Sequence, residues 1–114
     1  MTVLLRKQGF LGGVVASLDG NTIRRGYGGL SEVIATLDGK SVRRGYGGLT
    51  EIVATIDGSD VRSGHGGFSG VIANVSGDII RAGHGGLGKV LFIVEGSAST
   101  REKGALAAAA LLCL

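Results

Sequence analysis

The sequence predicts an all-β protein built from 19-residue hairpin repeats, arranged as an antiparallel meander, barrel or sandwich with a short C-terminal helix. Three observations predict it. Glycine recurs at a strict 19-residue period, apolar and polar positions alternate between the glycines, and Asp-Gly pairs close several of the apolar segments. A period near 20 is typical of repeat proteins, in which each unit buries its apolar face against its neighbours.

The repeat accounts for almost the whole chain, which we interpret as a single domain over residues 1–114. The 23 glycines are periodic, and with 44% apolar but only 4% aromatic residues the core must be aliphatic. The units cover residues 10–28, 29–47, 48–66, 67–85 and, in degenerate form, 86–104, and residues 2–9 resemble the second half of another unit.

Each unit is predicted to form one hairpin. Val33, Ala35 and Leu37 alternate on one face of a first strand, which we expect to be the core face. Asp38 and Gly39 are typical central residues of a type I′ turn, which would pair Leu37 with Lys40. A shorter second strand follows.

The alternative architecture is a parallel β-solenoid with one coil per repeat. In a solenoid, equivalent residues stack about 4.8 Å apart, whereas in a meander they lie two strand spacings apart. Like charges repel less at the larger distance, so two charged columns favour the meander. These columns are Asp19, Asp38 and Asp57, and Arg24, Arg43, Arg62 and Arg81.

The C-terminal third departs from the repeat. Residues 89–96 are apolar at nearly every position, which predicts a strand covered on both faces. The Ala-rich segment 104–114 predicts a helix that packs near this strand and caps the array. Cys113 is expected to be a buried small hydrophobe, and a lone cysteine excludes an internal disulfide.

Composition and local patterns restrict the function classes. The apolar ten-residue stretch 105–114 is too short to span a bilayer, and the apolar segment after Lys7 lies in register with the repeat rather than in a secretion signal. We therefore expect a cytoplasmic protein with no membrane span. A net charge of +3 is well below that of a dedicated nucleic-acid binder, so nucleic acid is not an expected partner.

One repeat position carries polar rings beside glycines, and the arginine column follows closely in each unit. Such rings and guanidinium groups would bind an anionic or carbohydrate ligand by stacking and hydrogen bonding. Alternatively, the rings pack over their own loops, and the arginines form a solvated face whose charges pair with Glu32 or Glu51. The candidate ligand-binding residues are Tyr27, Tyr46, His65, His84, Arg24, Arg43, Arg62 and Arg81.

No pattern indicates an enzyme. A zinc site needs three or four converging ligands, and the chain has only two histidines and one cysteine, so we expect no metal and no cofactor. The glycine-rich runs lack the spacing of a phosphate-binding loop, and no nucleophile motif is present.

Two functional hypotheses follow. In the first, the protein is a non-enzymatic binding or assembly module that forms a homo-oligomer through a second apolar face. The interface residues would be Ile34, Val53 and Ile72. In the second, it is a binding module that holds an anionic or sugar ligand with the Tyr/His row and the arginine column.

Overall fold

The computed structural model describes residues 2–7, 13–27, 31–46, 50–64, 70–83 and 88–114. Every strand pairs antiparallel with its neighbours, and the sheet closes into a barrel in the order β1-β10-β9-β8-β7-β6-β5-β4-β3-β2. The prediction of an antiparallel all-β repeat fold is confirmed, in its barrel form, and the solenoid is excluded. The elements are β1 (Thr2–Lys7), β2 (Val14–Asp19), β3 (Thr22–Arg25), β4 (Val33–Asp38), β5 (Ser41–Arg44), β6 (Ile52–Asp57), β7 (Asp60–Ser63), β8 (Val71–Ser76), β9 (Ile79–Ala82), β10 (Val90–Glu95) and α1 (Thr100–Leu112).

The barrel closes because the N-terminal half-unit completes the C-terminal one. β1 pairs with β10 and serves as the second strand of the degenerate unit. The pairing repeats the chemistry of the other units: Arg6 forms an ion pair with Glu95, as Arg43 does with Asp38 at 3.2 Å. The described strands therefore form five hairpin-like pairs, the last assembled from the first and the last strand, β1 and β10.

The central residues of the hairpin turns lie one position later than predicted. Leu37 pairs with Val42 rather than Lys40, so Gly39 and Lys40 are the central residues. Gly39 has φ +62°, and no described residue other than glycine has a positive φ, which indicates a type II′ turn rather than type I′. The predicted core face nevertheless holds, because the partner of Leu37 moved by two residues and side chains alternate with a period of two.

A register shift recurs where each hairpin meets the next. Ile23 pairs with Ala35 and Arg24 with Val33, which leaves Ile34 without a paired residue on β3, as at a β-bulge. The same position is skipped at Val53 and Ile72.

These bulge positions are the residues expected to form an oligomer interface. Ile34 is 4% and Val53 is 7% exposed, and Ile72 packs half-buried against the same core cluster. Their side chains therefore join the core of the chain itself. Little apolar area is left at these positions for a second copy.

The helix runs through the barrel instead of capping it. It begins at Thr100, four residues earlier than predicted, and contacts β2 and the strands from β4 to β8 rather than packing mainly on β10. Residues 104–109 are buried in the core cluster that the inward-facing strand residues form. The wall leaves room for the helix because one inward repeat position is a fully buried alanine in four units, Ala16, Ala35, Ala54 and Ala73.

Strand β10 is covered on one face only, contrary to the prediction. Phe92 and Val94 point into the core, and Phe92 occupies the repeat position that is alanine in the other units. Ile93 lies between them and is 39% exposed. The apolar character of this strand therefore does not arise from burial on both sides.

Candidate binding face at the loop end of the barrel

The barrel has two chemically different ends. The turn end carries the two-residue turns and the start of α1, because Arg101 donates to the Gly39 carbonyl at 2.9 Å and Lys103 forms an ion pair with Asp78 at 2.9 Å. A helix of 13 residues is about 20 Å long, which carries its end to the opposite side of a molecule 21 Å thick. We call that opposite side the loop end; the second strand of each hairpin ends there, and the first strand of the next unit begins there.

The two tyrosines of the predicted row stand in solvent at the loop end. Tyr27 is 67% and Tyr46 is 81% exposed, so most of each side chain is open to solvent. The residue before each ring is anchored to a strand: Gly26 donates its N–H to the Val15 carbonyl at 3.0 Å, and Gly45 donates to the Ile34 carbonyl at 2.9 Å. The rings therefore project from a fixed backbone. The other two members of the row, His65 and His84, lie outside the described residues.

The predicted arginine column is committed to contacts within the chain. Arg43 donates to the Thr50 carbonyl at 2.7 Å and pairs with Asp38, and its side chain is only 23% exposed. Arg24 and Arg81 donate to the carbonyls seven residues further on, and Arg62 pairs with an aspartate at 3.4 Å. Arg24, Arg43 and Arg81 therefore fasten their hairpins to the connection that leads to the next unit, whereas the Arg62–Asp57 pair lies within one hairpin.

A second arginine column, Arg25 and Arg44, is more exposed than the column that was predicted to bind a ligand. Arg25 pairs with Glu32 at 3.1 Å and Arg44 with Glu51 at 3.2 Å, and both arginine side chains are about half exposed. Exposed pairs of this kind contribute little to stability, so their main consequence is a patterned surface beside the tyrosines. The signal was the doubled Arg-Arg followed seven residues later by glutamate, in two consecutive units.

The end of the helix adds apolar surface to the same face. Burial raises the pKa of the Cys113 thiol, while Arg44 lowers it and Glu51 raises it, which places this half-buried cysteine beside that ion pair. The neighbouring Leu111 and Leu114 are 38% and 50% exposed. Four of the five large exposed hydrophobics among the described residues thus lie at the loop end, and the fifth is Ile93 on the outer wall.

The described residues show neither a metal cluster nor a spanning helix. No group of three or more His, Cys, Asp or Glu residues converges within the described ranges. The one helix they contain is too short to cross a bilayer. The expectations of no metal and no cofactor stay predictions.

Comparison with known proteins identifies the fold family. A family model described as "6-fold beta flower protein" matches residues 5–114. The chain belongs to this family. The match begins within β1 and extends past the end of α1 at Leu112, so it covers nearly all of the barrel strands together with the helix of this beta flower. The described strands form five pairs, one fewer than the number in the family description. No curated protein and no solved structure matches the chain.

Proposed function

We propose that this beta flower protein is a non-enzymatic binding module whose binding face is the loop end, and that its partner is a protein surface, in the simplest case a second copy. The exposure of four large side chains at the loop end is the main support for this proposal. Tyr27, Tyr46, Leu111 and Leu114 expose their side chains on one end of a barrel whose remaining large apolar residues are mostly buried. Exposed apolar groups gathered on one face are typical of interaction sites.

The composition of the face favours a protein partner. Tyrosine and arginine are enriched at protein interfaces, where they supply most of the binding energy. The Arg25–Glu32 and Arg44–Glu51 pairs alternate positive and negative groups around the face. A two-fold axis would place such a pattern against its own complement, which suits self-association.

Sedimentation velocity across a concentration series tests self-association. The wild-type chain is expected to form dimers or larger species as concentration rises. The double variant Tyr46→Ser with Leu114→Ser removes two exposed groups and is expected to weaken association at least tenfold, about 1.4 kcal/mol. Ile93→Ser is the matched control, because it removes an exposed apolar residue from the outer wall. A wild-type chain that remains monomeric at every concentration would contradict self-association.

A carbohydrate ligand is the second candidate for the same face. Tyr27 and Tyr46 follow β3 and β5, which are separated by one strand and so lie about 10 Å apart. Two exposed rings at this spacing suit stacking on an extended sugar chain. A glycan array probed with wild-type protein and with Tyr46→Ala tests this, with equal melting temperatures showing that the fold is retained. The absence of enzymatic activity and a cytoplasmic location are further parts of our proposal.

A further inference from the structure

A ring of equivalent backbone hydrogen bonds surrounds the loop end. In each unit the last residue of the second strand donates its N–H to the carbonyl of the residue just before the first strand of the next unit. We call these residue pairs the rim couples. They are Arg25 with Glu32 (2.9 Å), Arg44 with Glu51 (3.0 Å), Ser63 with Gly70 (3.1 Å), Ala82 with Lys89 (2.7 Å) and Lys7 with Gly13 (3.0 Å).

The side chains of the rim couples divide the ring into a neutral part and a positive part. Two couples are Arg–Glu ion pairs, and a third is uncharged. The remaining two couples are neighbours across β10 and β1, and each contributes one lysine, Lys89 or Lys7. Neither lysine forms an ion pair with a described residue.

The fold itself does not require lysine at either position. Ser63 and Ala82 occupy the place of Lys7 in other units, and Gly13 and Gly70 occupy the place of Lys89. All of them make the same backbone bond. The other units therefore serve as an internal comparison. They form the same backbone hydrogen bond with uncharged residues, so the barrel does not need the positive charges of Lys7 and Lys89.

The two lysines share one pocket. It measures about 230 Å³ and is lined by Lys7 and Lys89 together with Val90, Leu91 and Phe92. Lys7 lies directly opposite Phe92 across the β1–β10 pairing. The pocket is therefore lined by two basic and three apolar residues, and no carboxylate belongs to its lining among the described residues.

We propose that this pocket binds a carboxylate carried on a small apolar group, such as a short aliphatic or aryl acid. Two ammonium groups attract one anion, and the apolar wall favours a ligand with a hydrocarbon part over a fully polar oxyanion. The volume is below the roughly 300–1,000 Å³ of sites that enclose a drug-sized ligand, so it fits a small acid or the acidic end of a larger molecule. This inference does not rest on the proposed function of the tyrosine face.

The test is an NMR titration of the full chain with benzoate and with butyrate. Benzyl alcohol, butanol and inorganic phosphate serve as probes that lack either the charge or the hydrocarbon. We expect the two acids to shift the amides of residues 89–92, with affinity that falls as salt rises. The neutral alcohols and phosphate are expected to bind at least tenfold more weakly.

Variants locate the binding groups. Lys7→Gln and Lys89→Gln keep the aliphatic stem and are each expected to weaken benzoate binding about tenfold, the effect of losing one charge-assisted hydrogen bond. Lys40→Gln, at the turn end, is the matched control and is expected to bind benzoate normally.

Four results would overturn the proposal: no binding of either acid, equal binding of phosphate, equal binding of the alcohols, or unchanged binding by both variants with native-like spectra. Sedimentation of the same samples separates this proposal from the tyrosine face, because charge removal at Lys7 or Lys89 is not expected to alter self-association.

Discussion

At the scale of single residues, the repeated turn depends on glycine rather than on aspartate. The first central residue of the turn has a φ of +67° at Gly20, +62° at Gly39 and Gly58, and +61° at Gly77. The last of these follows Ser76 instead of aspartate, and the turn is retained. Asp38 and Asp57 serve a different purpose, since they accept hydrogen bonds from the arginine column.

A glycine-to-alanine pair measures this requirement. Gly39→Ala forces a β-carbon into a left-handed conformation and is expected to lower the free energy of unfolding by roughly 1–2 kcal/mol. Gly13→Ala is the matched control: its φ is not positive, and a β-carbon there meets no atom within 4 Å. We expect it to be neutral or slightly stabilising. Urea denaturation measures both, and equal losses would refute a turn-specific effect.

Cys113 is a second residue whose behaviour the structure predicts. Because burial raises its pKa, the thiol keeps its proton to higher pH than free cysteine and is expected to react slowly with iodoacetamide near neutral pH. Arg44 lowers the pKa and Glu51 raises it, so Arg44→Gln should slow alkylation further and Glu51→Gln should accelerate it. Alkylation in denaturant is the control. Identical rates in the three folded proteins would contradict this placement of the helix end.

Among the secondary-structure elements, the helix carries local sequence signals for both its first residue and its burial. Ser99 accepts a hydrogen bond from the Glu102 N–H, and the Glu102 carboxylate accepts one from the Ser99 N–H, which forms a capping box. Serine followed three residues later by glutamate was visible in the sequence and places the start at Thr100. After its charged first turn, the helix has only small or apolar residues from 104 to 112, which is typical of a buried helix rather than of an outer cap.

Removal of the cap tests the start of the helix. Ser99→Ala leaves the backbone N–H of Glu102 without its acceptor and is expected to cost about 1 kcal/mol of stability. Thr100→Ala is the control, because this exposed residue follows the cap and is expected to change stability by less than about 0.5 kcal/mol. Thermal denaturation followed by circular dichroism measures both variants. A cost at Thr100 that equals the cost at Ser99 would contradict the capping box.

At the scale of the whole molecule, the barrel and its helix form one core. Leu106 and the alanines around it are fully buried against inward-facing residues such as Ile56 and Val61, and a β-carbon added to Gly104 would lie 3.2–3.3 Å from those two side chains. At these distances no space is left for a further side-chain atom, so the helix is packed against the strands as tightly as in an ordinary protein interior. The helix and the sheet are therefore expected to unfold together.

A truncation tests this cooperativity. A chain that ends at Ala98 lacks the helix and leaves the alanine-lined lumen empty, so we expect broad unfolding and binding of a hydrophobic dye. A synthetic peptide covering residues 99–114 is expected to restore sharp unfolding. A chain that ends at Leu112 retains the whole helix and is the control. Sharp, dye-free unfolding of the shorter chain would show that the barrel does not depend on its helix.

The sequence alone determined the period, the hairpin of each unit and the inward faces of the strands, because these follow from alternation and turn chemistry within about 20 residues. It also located the tyrosine row. Tertiary structure decided the rest. It pairs β1 with β10, buries Ile34 at a β-bulge and places the helix inside the barrel. It also holds Arg43 in contacts within the chain while Arg44 is exposed. Each of these depends on which distant segments meet when the sheet closes. Local signals, such as the apolar helix segment and the glutamate seven residues after Arg44, indicate part of the result but not the contacts themselves.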